Sequence, residues 1–208
     1  MNKILGTFSQ ALDEAVGSYI RTNPAREVKR LAQPRQETEV LSPDQVKRLL
    51  GCCRGDRFEA VFVLGATCGL RIGEALGVRW SDIDFEKGTL AVGRSIWRGR
   101  TLPTKTDSSR RTIKLPRIAL EALHRHRERA EERLRDGSED SGWVFPTAKG
   151  NSHYAANFYK RNWKPMLKRA GLPPMTFHQL RHGAASFLLS QGVPIPVVSR
   201  YLRHANLR

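Results

Sequence analysis

Cysteine, long apolar runs and acidic side chains are all scarce in this sequence, and each scarcity excludes a class of protein. There are three cysteines, Cys52, Cys53 and Cys68, in 208 residues. None stands at metal-ligand spacing from another, and adjacent cysteines rarely bridge each other. All three are therefore expected to be reduced structural thiols, not a disulfide framework or a zinc site. No apolar run approaches the roughly 18 residues needed to span a bilayer. The N-terminal segment sets Asp13 and Glu14 among its apolar positions and does not resemble a secretory signal, so an intracellular protein is expected. Acid is short as well: 20 Asp+Glu stand against 36 Lys+Arg, for a net charge of +16. From Ser141 to Arg208, 68 residues carry ten Lys+Arg and no Asp or Glu. That distribution calls for a polyanionic partner. A hydrophobic content of 39% is enough for a folded core at this length and excludes a disordered basic tail.

Periodicity divides what is present. Ile4, Leu5, Phe8, Leu12, Ala15, Val16 and Tyr19 recur at helical spacing, and Asn23-Pro24 breaks the pattern. The charged stretch from Ala25 to Glu39 reads as an exposed linker, which puts a domain boundary near residue 40. Ser42-Pro43-Asp44-Gln45 has the composition of a capped helix start with a capping box. Phe58 to Cys68 reads as a core helix ended by Gly69 in a left-handed conformation. Beyond it, Arg71 and Glu74 share one face of a short helix. Leu90, Val92 and Ile96, then Thr112, Ile113 and Leu115, read as strands of one small antiparallel sheet. The basic hairpin between them is placed within Gly99 to Ser109. Between Arg94 and Arg117 there are eight Lys+Arg and one acid, Asp107, so one surface of that sheet is expected to be electropositive. Helices follow at Ile118 to Leu134, Tyr154 to Ala170 with an interruption near Pro165, Thr176 to Gln191 and Ile195 to His204. The architecture expected is mainly α with a small antiparallel β-sheet.

The chemistry-bearing residues cluster late in the chain. Thr176 is placed to cap a helix on which His178 and Arg181 lie three apart, where free N–H groups and partial positive charge favour a phosphate. A two-metal nuclease needs clustered carboxylates about 4 Å apart, and the sequence around His178, Arg181 and His204 has none. His124 and His126, set among charges, are expected to face solvent; His153 and His182 are read as structural or phosphate-contacting. Core packing accounts for Tyr154, Phe158, Tyr159 and Trp163, and contact with the phosphates of a polyanion for the interleaved Lys160, Arg161 and Lys164.

Four stretches together resemble the tyrosine recombinase (phage integrase) family. Gly69 to Leu76, followed by Trp80-Ser81-Asp82-Ile83-Asp84, is similar to its first arginine box. Lys105 to Ile113 resembles its lysine-bearing β-hairpin, His178 to His182 its His-x-x-Arg box, and Tyr201-Leu202-Arg203-His204 the segment of its second histidine. Their order covers Leu41 to Arg208 almost completely. The resemblance implies a DNA breaking-rejoining catalytic-domain fold over 40–208. Residues 1–39 would be the last helix of a core-binding domain and a linker. It implies that Arg71 and Arg181 hold the non-bridging oxygens of a scissile phosphodiester, each guanidinium offering paired donors. His178 would assist proton transfer, His204 would donate to the phosphate, Lys105 would protonate the departing 5′ oxygen, and Glu74 would orient the basic residues. Arg94, Arg98, Arg100, Arg110, Arg111, Lys160, Arg161 and Lys164 would contact DNA. No metal or other cofactor is implied. The partners implied are double-stranded DNA and further copies of the chain, a tetramer in the intact family, and the location is the cytoplasm, on the nucleoid.

The family's nucleophile is a tyrosine beyond the second histidine, and Ala205-Asn206-Leu207-Arg208 contains none. Tyr201 precedes His204 and aligns with an ordinary helix position, where it is expected to pack against Val197 or Val198. The chain alone is thus expected to activate a phosphate without completing cleavage. Gln179 replaces a frequent acid and Arg203 a frequent glycine. Three other readings fit less of the sequence: a non-catalytic DNA-binding remnant or regulator, a type IB topoisomerase-like enzyme, and an RNA-binding helical protein.

Overall fold

The computed structural model describes residues 2–29, 31, 41–103, 111–137, 139–190, 194–196 and 198. The chain divides into two compact units, Met1–Thr38 and Glu39–Arg208. In the first, helix α1 (Asn2–Ala15) is followed by a short 3-10 turn, Pro24–Arg26. Asn23 joins them. Its amide donates to Ser9 O at 2.8 Å and Asp13 Oδ1 at 2.7 Å, and its carbonyl oxygen accepts from Ala25 N at 2.9 Å. The residue that breaks the helical pattern is therefore buried and fully used, and Ala25 is buried with it.

The second unit is built around α3 (Glu59–Cys68), which is buried on nearly every side. Its apolar residues have nowhere polar to face, and each fully buried Val, Leu or Phe stabilises by roughly 1.5–3 kcal/mol, so neighbouring elements arrange themselves around it. Helix α2 (Pro43–Cys53) packs there after a capping box in which Gln45 N donates to Ser42 Oγ at 3.2 Å and Ser42 N to Gln45 Oε1 at 2.8 Å. Helices α5 (Arg117–Arg135) and α8 (Phe177–Ser190) cover two more sides. Buried Glu59 locks α3 to α5: it accepts from Arg125 Nη2 at 2.5 Å, with Arg129 Nη2 at 3.8 Å. His126 is inside, not at the surface. It is 3% exposed, packs between Trp80 and Phe145, and its Nε2 meets Val144 O at 2.6 Å. Burial lowers its pKa to about 4. His153 is structural too, edge-on to Phe58 and against Pro146 O.

The strands form two sheets where one was expected. Strands β1 (Ile83–Asp84), β2 (Thr89–Val92) and β5 (Arg111–Lys114) make an antiparallel sheet with Leu90 opposite Ile113 and Val92 opposite Arg111. Strands β3 (Arg94–Trp97) and β4 (Arg100–Pro103) form a separate hairpin. Its two-residue turn, Arg98-Gly99, has φ of 48° and 73°, the positive pair that a tight hairpin requires. The turn thus begins earlier than the expected Gly99 to Ser109 segment. Short helix α4 (Ile72–Leu76) lies against β3: a Cβ on Gly73 would stand 2.5 Å from Ser95 Oγ. Residues 155–169 stay helical through Pro165 by means of one wide π turn. Helix α6 (Ala155–Phe158) leads into Tyr159–Trp163, and α7 (Lys164–Arg169) follows. Lys164 N donates to Tyr159 O, five residues back, which accommodates a proline that has no N–H and would crowd a regular turn. The helix expected at Ile195 to His204 lies largely outside the described residues. No described helix is long and apolar enough to cross a membrane.

Candidate active site

The site forms where α3 ends, α4 begins, β5 starts and α8 passes. At the end of α3, Gly69 has φ 60°, a left-handed conformation that a residue with a Cβ adopts only at a cost. The turn leaves the Gly69 carbonyl free to accept from Arg181 Nη1 at 2.8 Å. Helix α8 comes close enough for this because α3 carries glycine at 65, where a Cβ would lie 2.5 Å from Phe177 Cζ. The entry to α8 is fixed from below, since Trp163 Nε1 and Tyr159 Oη both donate to Met175 O, at 2.7 and 3.0 Å. Its first turn is closed by Gln179, whose Oε1 accepts from Thr176 N at 2.6 Å and Thr176 Oγ1 at 2.9 Å. Gln179 thus supplies the acceptor of a helix cap, a role the neutral amide fills without adding negative charge.

Glu74 is the centre of the cluster. Its Oε2 accepts from Arg71 N at 3.0 Å and its Oε1 from Arg71 Nη1 at 2.8 Å, so one carboxylate holds both the backbone and the side chain of Arg71. Arg111 Nη2 approaches Oε2 at 3.5 Å, with both side chains under a tenth exposed. Arg181 is 1% exposed. Burial, followed by the nearby charges of Arg71 and Arg111, lowers its pKa to about 10, with Glu74 acting in the opposite sense. It remains a cation at neutral pH. Its Nη2 is buried and has no hydrogen-bond partner among the described residues. Among the described residues, three guanidinium groups therefore gather around one carboxylate, Arg71 and Arg111 beside it and Arg181 within its electrostatic reach. The uncompensated positive charge suits an oxyanion, and Arg71, half exposed, gives that oxyanion a way in from solvent.

The sequence profile of the phage integrase family matches residues 39–208. The chain belongs to the phage integrase family. A tyrosine recombinase XerC-like protein of Caldanaerobacter subterraneus subsp. tengcongensis is 36% identical, the match covering 100% of this chain and 59% of that protein. The chain spans about three-fifths of the length of the curated relatives it matches first. Among solved structures, the Tn1549 transposon integrase in complex with circular intermediate DNA superposes with a TM-score of 0.80 at 22% identity, covering 99% of this chain and 71% of that one. A lambda integrase tetramer bound to a Holliday junction gives a TM-score of 0.70 at 21% identity, covering 97% and 57%. The mostly helical architecture with its small antiparallel strands is the integrase catalytic-domain fold.

Of the integrase residues implied by resemblance, the fold brings together Arg71, Glu74 and Arg181. His178 is exposed at the second residue of α8, one turn before Arg181. Lys105, Arg110, Tyr201, Arg203 and His204 lie outside the described residues. Arg98 and Arg100 are exposed at the β3–β4 hairpin, Arg98 over the Trp97 ring. Lys160, Arg161 and Lys164 are exposed on the π turn and the start of α7. Two expected DNA contacts are used differently. Arg94 is ion-paired with Asp82 and mostly covered. Arg111 faces inward to Glu74, not outward onto an electropositive sheet surface. Its inclusion in the cluster was readable in principle, because Arg111 and Ile113 are two apart on a strand and share the core side. The carboxylate at the site among the described residues is Glu74, and it is already held by Arg71 and Arg111. Among the described residues no three His, Cys, Asp or Glu side chains gather as a metal site.

Proposed function

We propose that residues 39–208 activate a DNA phosphodiester for strand breakage and rejoining through a 3′-phosphotyrosine intermediate, as part of a site-specific recombinase or integrase. Arg71 and Arg181 would each grip a non-bridging oxygen. As a tyrosine oxygen attacks phosphorus, charge builds on those oxygens, and donors already in place lower the barrier. The 5′ oxygen leaves with a proton from Lys105, and the same 5′-hydroxyl, or one from a second duplex, later attacks the phosphotyrosine and restores the bond. His178 and His204 would support proton transfer and phosphate binding. The observation that carries this reading is the buried Arg181 with an unused Nη2, set beside Arg71 and tied through the Gly69 carbonyl to the same turn. Arg98, Arg100, Lys160, Arg161 and Lys164 would seat duplex DNA, and copies of the chain would assemble on it in the cytoplasm, at the nucleoid.

Duplex binding should weaken steeply with salt. Six phosphate contacts give a log–log slope of about −5. A flat dependence would remove the DNA reading. Joined recombinant duplexes, made by a longer chain that carries a tyrosine past His204, would support a recombinase; relaxed circles alone would point to the topoisomerase reaction.

A further inference from the structure

A cavity of about 900 Å³ opens between the turn after α2, the C-terminal half of α5 and the segment 139–150. It shares no lining residue with the Arg71 cluster. Arg57, Arg129 and Arg133 converge on it, and their hydrogen bonds go to backbone carbonyls: Arg57 to Pro146 O, Arg129 to Gly55 O and Arg133 to Arg129 O. Among the described residues neither Arg57 nor Arg133 has a carboxylate within 4.0 Å. The acid within 4.0 Å of Arg129 among the described residues is Glu59 at 3.8 Å, which is already held by Arg125 at 2.5 Å. Glu132, Glu139 and Asp140 also line the cavity, but all three are exposed and none pairs with these arginines. The arginines stand close enough to oppose one another's charge, which adds to the effect of burial on Arg133.

A further feature narrows the chemistry. Trp80 and Trp143 add apolar surface to the lining, Trp80 stacked on the buried His126 ring and Trp143 carrying the Arg79 guanidinium over its ring at 4.5 Å. Arg57 and Arg133, crowded beside Arg129 without a carboxylate partner of their own among the described residues, carry positive charge that costs the folded chain stability, and arginine forks match the paired oxygens of a phosphate. We propose that this cavity binds a mononucleotide. Its phosphate would be held by Arg57, Arg129 and Arg133, and its base would lie against the tryptophans.

The test is thermal denaturation of the whole chain with adenosine 5′-monophosphate, inorganic phosphate or adenosine, backed by tryptophan fluorescence. The monophosphate should raise the melting temperature saturably, phosphate should do so less, and adenosine should not. R57Q/R133Q should bind the monophosphate about a hundredfold more weakly, since each of the two lost charge-assisted contacts is worth about 1.4 kcal/mol, or tenfold. Its ligand-free melting temperature should match or exceed that of the parent, because a like-charge repulsion has been removed; R133Q alone should move both readings in the same directions. The absence of a saturable shift would overturn the proposal. So would a shift that survives R57Q/R133Q but disappears in R71K, which would place the ligand at the Arg71 cluster. Phosphate binding as tightly as the monophosphate would overturn the nucleotide assignment.

Discussion

Replacing Glu74 by Gln removes one negative charge and one acceptor while leaving the side chain's volume nearly unchanged. The carboxylate now makes three contacts: with Arg71 N, Arg71 Nη1 and Arg111 Nη2. The Arg71 side chain is 54% exposed, so that ion pair belongs to the solvent-screened range of about 0.2–1 kcal/mol. The Arg111 pair is covered on both sides, at 8% and 9% exposure, and the Arg71 N–H bond lies beside it. Losing these charge-assisted contacts should cost about 2 kcal/mol. For a domain of this size that corresponds to a fall in melting temperature of roughly 4–8 °C. The variant should bind duplex DNA no more weakly than the parent, since the site becomes more positive. Cleavage by a tyrosine-bearing chain should nevertheless drop roughly tenfold to a hundredfold, because Arg71 is no longer held in the geometry the phosphate needs. Calorimetry, a salt-matched binding assay and single-turnover cleavage read these three effects separately. A melting temperature unchanged to within about a degree, together with unchanged cleavage, would refute the claim that Glu74 organises the cluster.

Two further substitutions probe how the site is supported. G65A should put a methyl group 2.5 Å from Phe177 Cζ; equilibrium denaturation should show a loss of about 1–3 kcal/mol, and G65A/F177L should recover part of it. His126, at about 4 when folded against an ordinary value of 6.5, binds its proton more readily when unfolded. Its contribution is thus present above pH 6.5 and is lost as the pH falls towards 4, a loss of roughly 3 kcal/mol. His153, also lowered by burial, acts in the same direction. Urea titrations across this range should show a shallower loss for H126F than for the parent.

Features settled within a few residues were legible in the sequence. The Ser42–Gln45 box, the Gly69 stop and the Arg71–Glu74 spacing depend on neighbours, and the structure has them where the pattern put them. Features that depend on distant partners were harder to read. His126 was judged by the charges beside it, although Ala119, Ala122 and Leu123 place it on the buried stripe of α5, and its carbonyl partner is 18 residues away. Glu59 drew no reading from the sequence, and it is the buried tie to α5, 66 residues from Arg125. Counting basic residues between Arg94 and Arg117 treated a twisted pair of sheets as one surface. Strand alternation turns Arg111 inward, and Asp82 claims Arg94. Asn23 served as a break signal whose side-chain partners, Ser9 and Asp13, could not be inferred from local spacing.

The central claim is that Arg71 and Arg181 hold a scissile phosphate. It is tested most directly by trapping a covalent complex on a nicked suicide duplex, using the 208-residue chain, a longer chain that carries a tyrosine past His204, and the R181A form of that longer chain. The account predicts a 3′-phosphotyrosine adduct with the longer chain, none through Tyr201 in the 208-residue chain, and a loss of at least a hundredfold in adduct rate with R181A at matched DNA occupancy. An adduct formed by R181A at the parent rate would contradict it, and one on Tyr201 would reassign the nucleophile.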